Sequence, residues 1–97
     1  MVKKIIWTPK AEKSFDAVIN YLQEHWSQKE VISFVRKVDV VVFHIARFPF
    51  SYHSAGKDDI REALITKHNL LLYRIAGNTI YVLYFWDTRK NPMRKPV

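Results

Sequence analysis

Apolar residues recur at helical spacing through the first half of the chain and predict two consecutive helices. Thr8 followed by proline is typical of a helix start. A threonine side chain can cap a free backbone amide of the first turn, and proline has no backbone N–H that would be left unsatisfied there. Ser27 and Glu30 have the spacing of a capping box, which predicts that the second helix starts directly after the first. Phe48 ends that helix, because a residue before proline avoids the α region. Two helices of about eighteen residues each are therefore expected to form an antiparallel hairpin.

Short runs rich in β-branched, aromatic and leucine residues surround the helical region and predict four strands. Val2–Trp7 precedes the helices, and the ranges 60–66, 70–75 and 79–86 follow a loop over residues 50–59. Gly77 and Asn78 tolerate a positive φ, so the last two strands are expected to form a tight hairpin. The order β-αα-βββ predicts an α+β fold, in which a small, mainly antiparallel sheet packs against the two-helix hairpin.

The same periodicity predicts which side chains form the core. The apolar stripe of the first helix comprises Ala11, Phe15, Val18, Ile19, Leu22 and Trp26. Alternation on the last strand places Ile80, Val82, Tyr84 and Trp86 on one face and Tyr81, Leu83, Phe85 and Asp87 on the other. The predicted core comprises Trp7, Phe15, Leu22, Phe34, Val38, Val42, Leu72, Val82 and Tyr84. We also expect Asp87 to form an ion pair with Arg89 or Arg74.

The composition is that of one small folded domain. The 97 residues are 48% hydrophobic and 14% aromatic, which is too apolar for a disordered chain. A single domain over 1–97 is expected, with frayed residues from about 93 onward. No apolar run reaches the roughly 20 residues of a membrane span, no secretion signal is visible and cysteine is absent. A soluble cytoplasmic protein without a membrane partner is therefore expected.

Most catalytic and metal-binding patterns are missing from the sequence. The four histidines are 19, 9 and 15 residues apart with no cysteine beside them, so no metal site is predicted. The serines lie outside any strand-to-helix elbow, and no glycine-rich phosphate loop is present. We therefore expect no cofactor.

The positive charge is more informative about partners. Lys and Arg outnumber Asp and Glu by 16 to 9, which gives a formal net charge of +7. Any one of these cations is typical of a solvated surface whose side-chain stems cover apolar atoms. Taken together, the cations of the second half predict an edge that binds phosphates or carboxylates of a target. The candidate residues are Arg61, Lys67, His68, Arg74, Arg89 and Lys90.

Several short motifs carry a family resemblance by their order. The segment WTPKAEKSFDAVINYL opens the helical hairpin and IARFP closes it, and IREALI, KHNLLLYRI and TIYVLYFWDTRKNP follow. Over residues 3–92 this order resembles the RelE/ParE superfamily, the toxins of type II toxin–antitoxin modules. The resemblance implies neutralisation by an antitoxin that wraps a helix and an extended segment around the toxin. An acidic antitoxin suits a partner with a charge of +7.

The superfamily contains two different activities, and the residues favour one of them. RelE-like members cleave mRNA in the ribosomal A site, where several cations converge on one phosphate. In this chain Glu62 and Ala63 stand where further cations would be expected, and Leu70 or Leu71 stands in place of a catalytic arginine. ParE-like members bind DNA gyrase. They share a long helical hairpin and an Arg-Glu pair, which this chain has at Arg61 and Glu62.

The resemblance therefore predicts a ParE-like gyrase inhibitor that is not an enzyme. The alternative is a RelE-like, ribosome-dependent endoribonuclease, for which the implied catalytic residues are Arg61, Lys67, His68, Arg89 and Lys90. A third possibility, from another functional class, is an inactive module that only binds an antitoxin.

Overall fold

The structure, a computed structural model, describes residues 2–56 and 59–89. These residues form two α-helices and a short 3-10 helix, namely α1 (Pro9–His25), α2 (Gln28–Arg47) and η1 (Pro49–Ser51). They also form the strands β1 (Lys4–Trp7), β2 (His53–Ser54), β3 (Ile60–Thr66), β4 (Asn69–Ala76) and β5 (Thr79–Asp87). The predicted α+β fold, a helical hairpin on a small sheet, is confirmed. The tail predicted to fray from about 93 lies outside the described residues.

The strands form a single five-stranded sheet in the order β1-β5-β4-β3-β2. β1 pairs parallel to β5, and the other neighbouring strands pair antiparallel. β2 was not predicted, because the sequence indicates only a loop there. Its two residues, His53 and Ser54, pair with Glu62 and Arg61. Both β2 side chains are exposed, so no hydrophobic alternation marks this strand in the sequence.

The helix boundaries follow from local chemistry, with one correction. Thr8 caps α1 as predicted, because its Oγ1 accepts a hydrogen bond from the Ala11 amide at 3.1 Å. The same hydroxyl donates to the Val82 carbonyl at 2.8 Å and so ties the helix start to β5. The predicted capping box at Ser27 is wrong, since its side chain makes no capping hydrogen bond. α2 begins at the predicted place and ends before Phe48 as predicted.

These two helix starts give a matched stability test. Replacing Thr8 by alanine is expected to lower the free energy of unfolding by about 1 kcal/mol, because the cap and its bond to β5 are removed. Replacing Ser27 by alanine is the control and should have almost no effect, because that side chain caps nothing. Urea denaturation of both variants measures the difference. Equal decreases in the two variants would contradict the capping role of Thr8.

Both helices pack on one face of the sheet around an aromatic cluster. Phe85 lies at its centre, with ring centroids 5.3 Å from Trp7, 5.4 Å from Phe15 and 6.5 Å from Phe34. The buried residues of this core are Ala11, Phe34, Val38, Ile45, Ala63, Ile65, Leu71, Tyr73, Ile75, Ile80, Val82 and Phe85. Trp7, Phe15, Leu22 and Val42 are partly buried against it. Leu72 is buried as predicted but lies on the opposite face of the sheet, because it alternates with Leu71 and Tyr73.

One residue departs from the predicted core and another from the predicted apolar stripe of α1. Tyr84 is only half-buried, because the register between β4 and β5 shifts at this point. Leu72 pairs with Tyr84 while Tyr73 pairs with Val82, so one extra β5 residue breaks the alternation and turns Phe85 toward the helices. Trp26 is 63% exposed rather than part of the helical stripe. It is the C-cap residue of α1 and therefore lies beyond the last helical turn.

Candidate binding cleft and sheet edge

A cleft of about 500 Å³ opens between the helical hairpin and one end of the sheet. Its apolar lining includes Leu22 from α1, Phe34 from α2 and Phe85 from β5. Charged side chains line it as well, namely Glu30, Lys37, Lys67, Asp87 and Arg89, together with His68. The cleft therefore combines an apolar surface with a mixed, mainly basic set of charges. The sequence gives no signal of it, because its walls come from elements far apart along the chain.

Three of the residues predicted to bind anions meet at this cleft. Lys67 and His68 form the turn between β3 and β4, and Arg89 follows β5. The segment after β5 is held against that turn by Thr88, whose amide donates to the His68 carbonyl at 2.9 Å. The Thr88 hydroxyl also donates to the Lys67 carbonyl at 3.2 Å. These two hydrogen bonds of Thr88 bring Arg89 to the same cleft as the turn.

Asp87 pairs with Arg89, as predicted. Arg89 Nε lies 3.3 Å from Asp87 Oδ1, and Arg89 Nη2 lies 3.3 Å from Asp87 Oδ2. The Arg89 amide donates to Asp87 Oδ1 at 2.9 Å, and its guanidinium lies 5.8 Å from the centre of the Tyr21 ring. The hydrogen bonds and the charge of Asp87 raise the pKa of Arg89 above its ordinary value. Arg89 is therefore a positioned cation whose charge a neighbouring carboxylate already offsets.

Arg61 does not join this group of cations. Its Nη1 donates to the Tyr52 carbonyl at 2.6 Å, and its guanidinium lies 5.2 Å from the centre of the Phe50 ring. Arg61 and Lys67 are at opposite ends of β3, about 20 Å apart at roughly 3.3 Å per residue. The sequence places Arg61 on a strand without showing that its guanidinium binds backbone carbonyls.

Arg74 is also separate from the cleft. It pairs with Ile60 at the same end of the sheet as Arg61, and its side chain is exposed. It alternates with Tyr73 and Ile75, which face the helices, so it lies on the opposite face. Lys90 lies outside the described residues. The predicted anion-binding edge is therefore divided, and only Lys67, His68 and Arg89 share one cleft.

A buried tyrosine anchors the chain between α2 and β3. Tyr73 is fully buried, and its hydroxyl donates to the Pro49 carbonyl at 2.6 Å. Burial raises the pKa of Tyr73 and, to a smaller extent, that of the neighbouring Tyr52. The Tyr52 hydroxyl lies 2.8 Å from His44 Nδ1 on α2. This network holds η1 in place and positions the carbonyls that bind Arg61.

The outer edge of β3 is partly uncovered. β2 pairs only with Arg61 and Glu62, so within the described residues no strand pairs with that side of 63–66. Leu64 on this stretch is exposed, and Thr66 at its end lines the cleft. An uncovered strand edge offers backbone amides and carbonyls to another extended chain. The cleft and this edge are therefore neighbouring parts of one surface.

Trp86 provides an unused hydrogen-bond donor beside the same surface. Its side chain lines the cleft, and its indole Nε1 is buried with no hydrogen-bond partner among the described residues. A buried donor without an acceptor carries a cost to the stability of the fold.

The described residues do not contain a group of three or more His, Cys, Asp or Glu side chains that could hold a metal ion. Among the described helices, none combines the length and the apolar character required to cross a membrane.

Comparison with solved structures shows the same fold in several toxin–antitoxin proteins. The chromosomal ParDE system of P. aeruginosa contains a chain with TM-score 0.74 and 15% identity, matched over 89% of this chain and 96% of that one. The YoeB/ParE toxin of Agrobacterium tumefaciens has TM-score 0.64 and 17% identity, and the match covers 87% of this chain and 96% of that one. The RelBE2 complex of Mycobacterium tuberculosis contains a chain with TM-score 0.63 and 14% identity, and the match covers 90% of this chain and 99% of that one.

Comparison with protein families identifies the chain more specifically. No curated protein matches the sequence. The family model of the ParE toxin of the type II toxin–antitoxin system parDE matches residues 5–92, which include all the described helices and strands except Lys4, the first residue of β1. The chain therefore belongs to the ParE toxin family and is a toxin of the type II toxin–antitoxin class.

Proposed function

We propose that this toxin acts by binding DNA gyrase and blocking its cycle, without catalysing a reaction of its own. The observation that supports this function best is the separation of the cations. Cleavage of RNA by a 2′-hydroxyl requires several cations on one phosphate as its charge develops. Arg61 binds the Tyr52 carbonyl at the far end of β3, and Asp87 already offsets the charge of Arg89.

An acidic antitoxin is proposed to neutralise the toxin at the cleft and the β3 edge. An amphipathic helix suits the cleft, because its apolar side would cover Leu22 and Phe34 while its carboxylates approach Lys37 and Lys67. An extended segment of the same antitoxin would pair with the uncovered stretch 63–66 of β3. The net charge of +7 favours this partner by long-range attraction.

The direct test of gyrase binding is a supercoiling assay with purified components. Toxin at micromolar concentration is expected to stop gyrase from supercoiling relaxed plasmid. Premixing the toxin with its cognate antitoxin should restore supercoiling. Normal supercoiling in the presence of folded toxin would contradict the proposal.

A second candidate function rests on the predicted anion-binding residues that the cleft does bring together. Lys67, His68 and Arg89 lie at one cleft, which a ribosome-dependent endoribonuclease would use to hold a phosphate. Mapping of mRNA ends on translating ribosomes separates the two functions. We expect intact mRNA; cleavage that disappears in an Arg89→Ala/Lys90→Ala variant would establish the endoribonuclease instead. Unimpaired growth of cells that express the toxin alone would support the inactive antitoxin-binding module.

A further inference from the structure

The solvent side of α2 carries an apolar stripe that the fold does not use. Ile32, Val40 and Phe43 are 47%, 68% and 62% exposed, on the side of the helix opposite the buried Phe34 and Val38. A surface helix ordinarily has one apolar face toward the core and a polar face toward water. α2 has apolar residues on both faces. The exposed Phe48 and Phe50 follow the exposed apolar residues beyond the C-terminus of the helix.

Cations alternate with these apolar residues at helical spacing. Lys29, Ile32, Arg36, Val40, Phe43 and Arg47 follow one another at intervals of three or four residues along about 27 Å of helix. All six side chains are exposed. Two acidic side chains, Glu30 and Asp39, fall between Lys29 and Arg47, and helical spacing places both beside the stripe and not on it. The stripe is therefore both apolar and strongly basic.

Arginine and phenylalanine side chains are paired at the C-terminal end of the stripe. The Arg47 guanidinium lies 4.5 Å from the centre of the exposed Phe43 ring, and Arg61 lies 5.2 Å from that of Phe50. Stacking restrains the Arg47 guanidinium over the ring, and a stacked guanidinium can still donate hydrogen bonds to a carboxylate. Aromatic and arginine side chains are the residues that contribute most to protein–protein binding.

We propose that the outer face of α2, from Lys29 to Arg47 with Phe48 and Phe50, is a docking surface for an acidic amphipathic helix of a partner protein. The apolar residues of that helix would cover Val40 and Phe43. Its flanking carboxylates would pair with Arg36 and Arg47. This surface is distinct from the cleft, and the proposal does not depend on gyrase being the target.

Charge distinguishes this occupant from a second copy of the chain. A two-fold contact between two such faces would bring three cations, Lys29, Arg36 and Arg47, against the same three, while the two acids of this span, Glu30 and Asp39, lie beside the stripe. Like charges held together across an interface oppose binding. An acidic helix removes that repulsion and supplies the carboxylates that the stacked arginines can bind.

The test is a titration of the isotopically labelled full chain with a designed helical peptide. The peptide carries leucines at helical spacing flanked by glutamates and is about 18 residues long, which matches the length of the stripe. Amide chemical-shift changes are expected along the solvent side of α2 and in η1. Phe43→Ala should weaken binding at least about tenfold, because it removes the ring that stacks on Arg47. Lys13→Ala, which removes an exposed cation of α1 outside both the stripe and the cleft, is the matched control and should leave binding unchanged.

Each other result overturns the proposal. Equal binding of a peptide with lysines in place of the glutamates would show that the surface does not select an acidic partner. Shift changes confined to the cleft, or no binding, would show that the outer face is not the docking surface. A dimer in sedimentation that Phe43→Glu converts to a monomer would assign the face to a second copy. Both Phe43 variants are expected to fold, because this side chain lies outside the core.

Discussion

Replacing Phe34 by alanine is expected to lower the free energy of unfolding by about 3–5 kcal/mol, as for other buried aromatic residues. Phe34 is 4% exposed and joins α2 to the rest of the core. Its ring lies 6.0 Å from Phe15 on α1 and 6.5 Å from Phe85 on β5. Alanine would leave a cavity where the two helices meet the sheet, so the substitution would weaken the packing of three elements at once.

The matched control for this substitution lies on the same helix. Phe43 is 62% exposed, and Phe43→Ala is expected to change the free energy of unfolding by no more than about 0.5 kcal/mol. Denaturant unfolding followed by circular dichroism measures both variants. A large decrease from Phe43→Ala with a small one from Phe34→Ala would mean that the core face of α2 has been assigned to the wrong side.

Replacing Tyr73 by phenylalanine is expected to lower the free energy of unfolding by about 1–3 kcal/mol, although only one oxygen atom is removed. The Tyr73 hydroxyl donates to the Pro49 carbonyl at 2.6 Å inside a fully buried site, and the variant leaves that carbonyl without this donor. Tyr81→Phe is the control, because no hydrogen bond to the Tyr81 hydroxyl is present among the described residues. A decrease from Tyr81→Phe as large as that from Tyr73→Phe would contradict the assigned role of this bond.

The same tyrosine makes stability depend on pH in the alkaline range. Burial raises the pKa of Tyr73 above 10, the ordinary value for tyrosine. A group whose pKa is higher in the folded protein contributes stability that is complete below its unfolded pKa and is lost as the pH rises. The unmodified protein should therefore lose stability above pH of about 10, and the Tyr73→Phe variant should lose less over that range.

Much of the fold could be predicted because it is encoded locally. Helical periodicity and the Thr8 cap define the hairpin, and alternation with a glycine turn defines β4 and β5. β2 could not be predicted, since two exposed residues carry no pattern. The position of Tyr84 could not be predicted either, because an extra residue in β5 is visible only from its pairing with β4.

The candidate site was harder to predict, since it depends on distances between elements. The sequence shows that Lys67, His68 and Arg89 lie near strand ends, and Thr88 brings these ends together. It does not show that Arg61 is committed to the Tyr52 carbonyl about 20 Å away along β3. Charge patterning gives the number of cations, whereas the hydrogen bonds of each guanidinium determine which of them remain available to a partner.

The central claim, inhibition of gyrase by binding, is tested most directly by titrating purified toxin into a gyrase supercoiling reaction. We predict a decrease in supercoiled plasmid that becomes larger with toxin concentration and is reversed by the acidic antitoxin. The Phe43→Ala toxin, which should be folded, is run beside it to show whether the outer face of α2 takes part in the inhibition. Unchanged supercoiling at micromolar wild-type toxin, with mRNA cleaved on translating ribosomes by the same preparation, would contradict the claim.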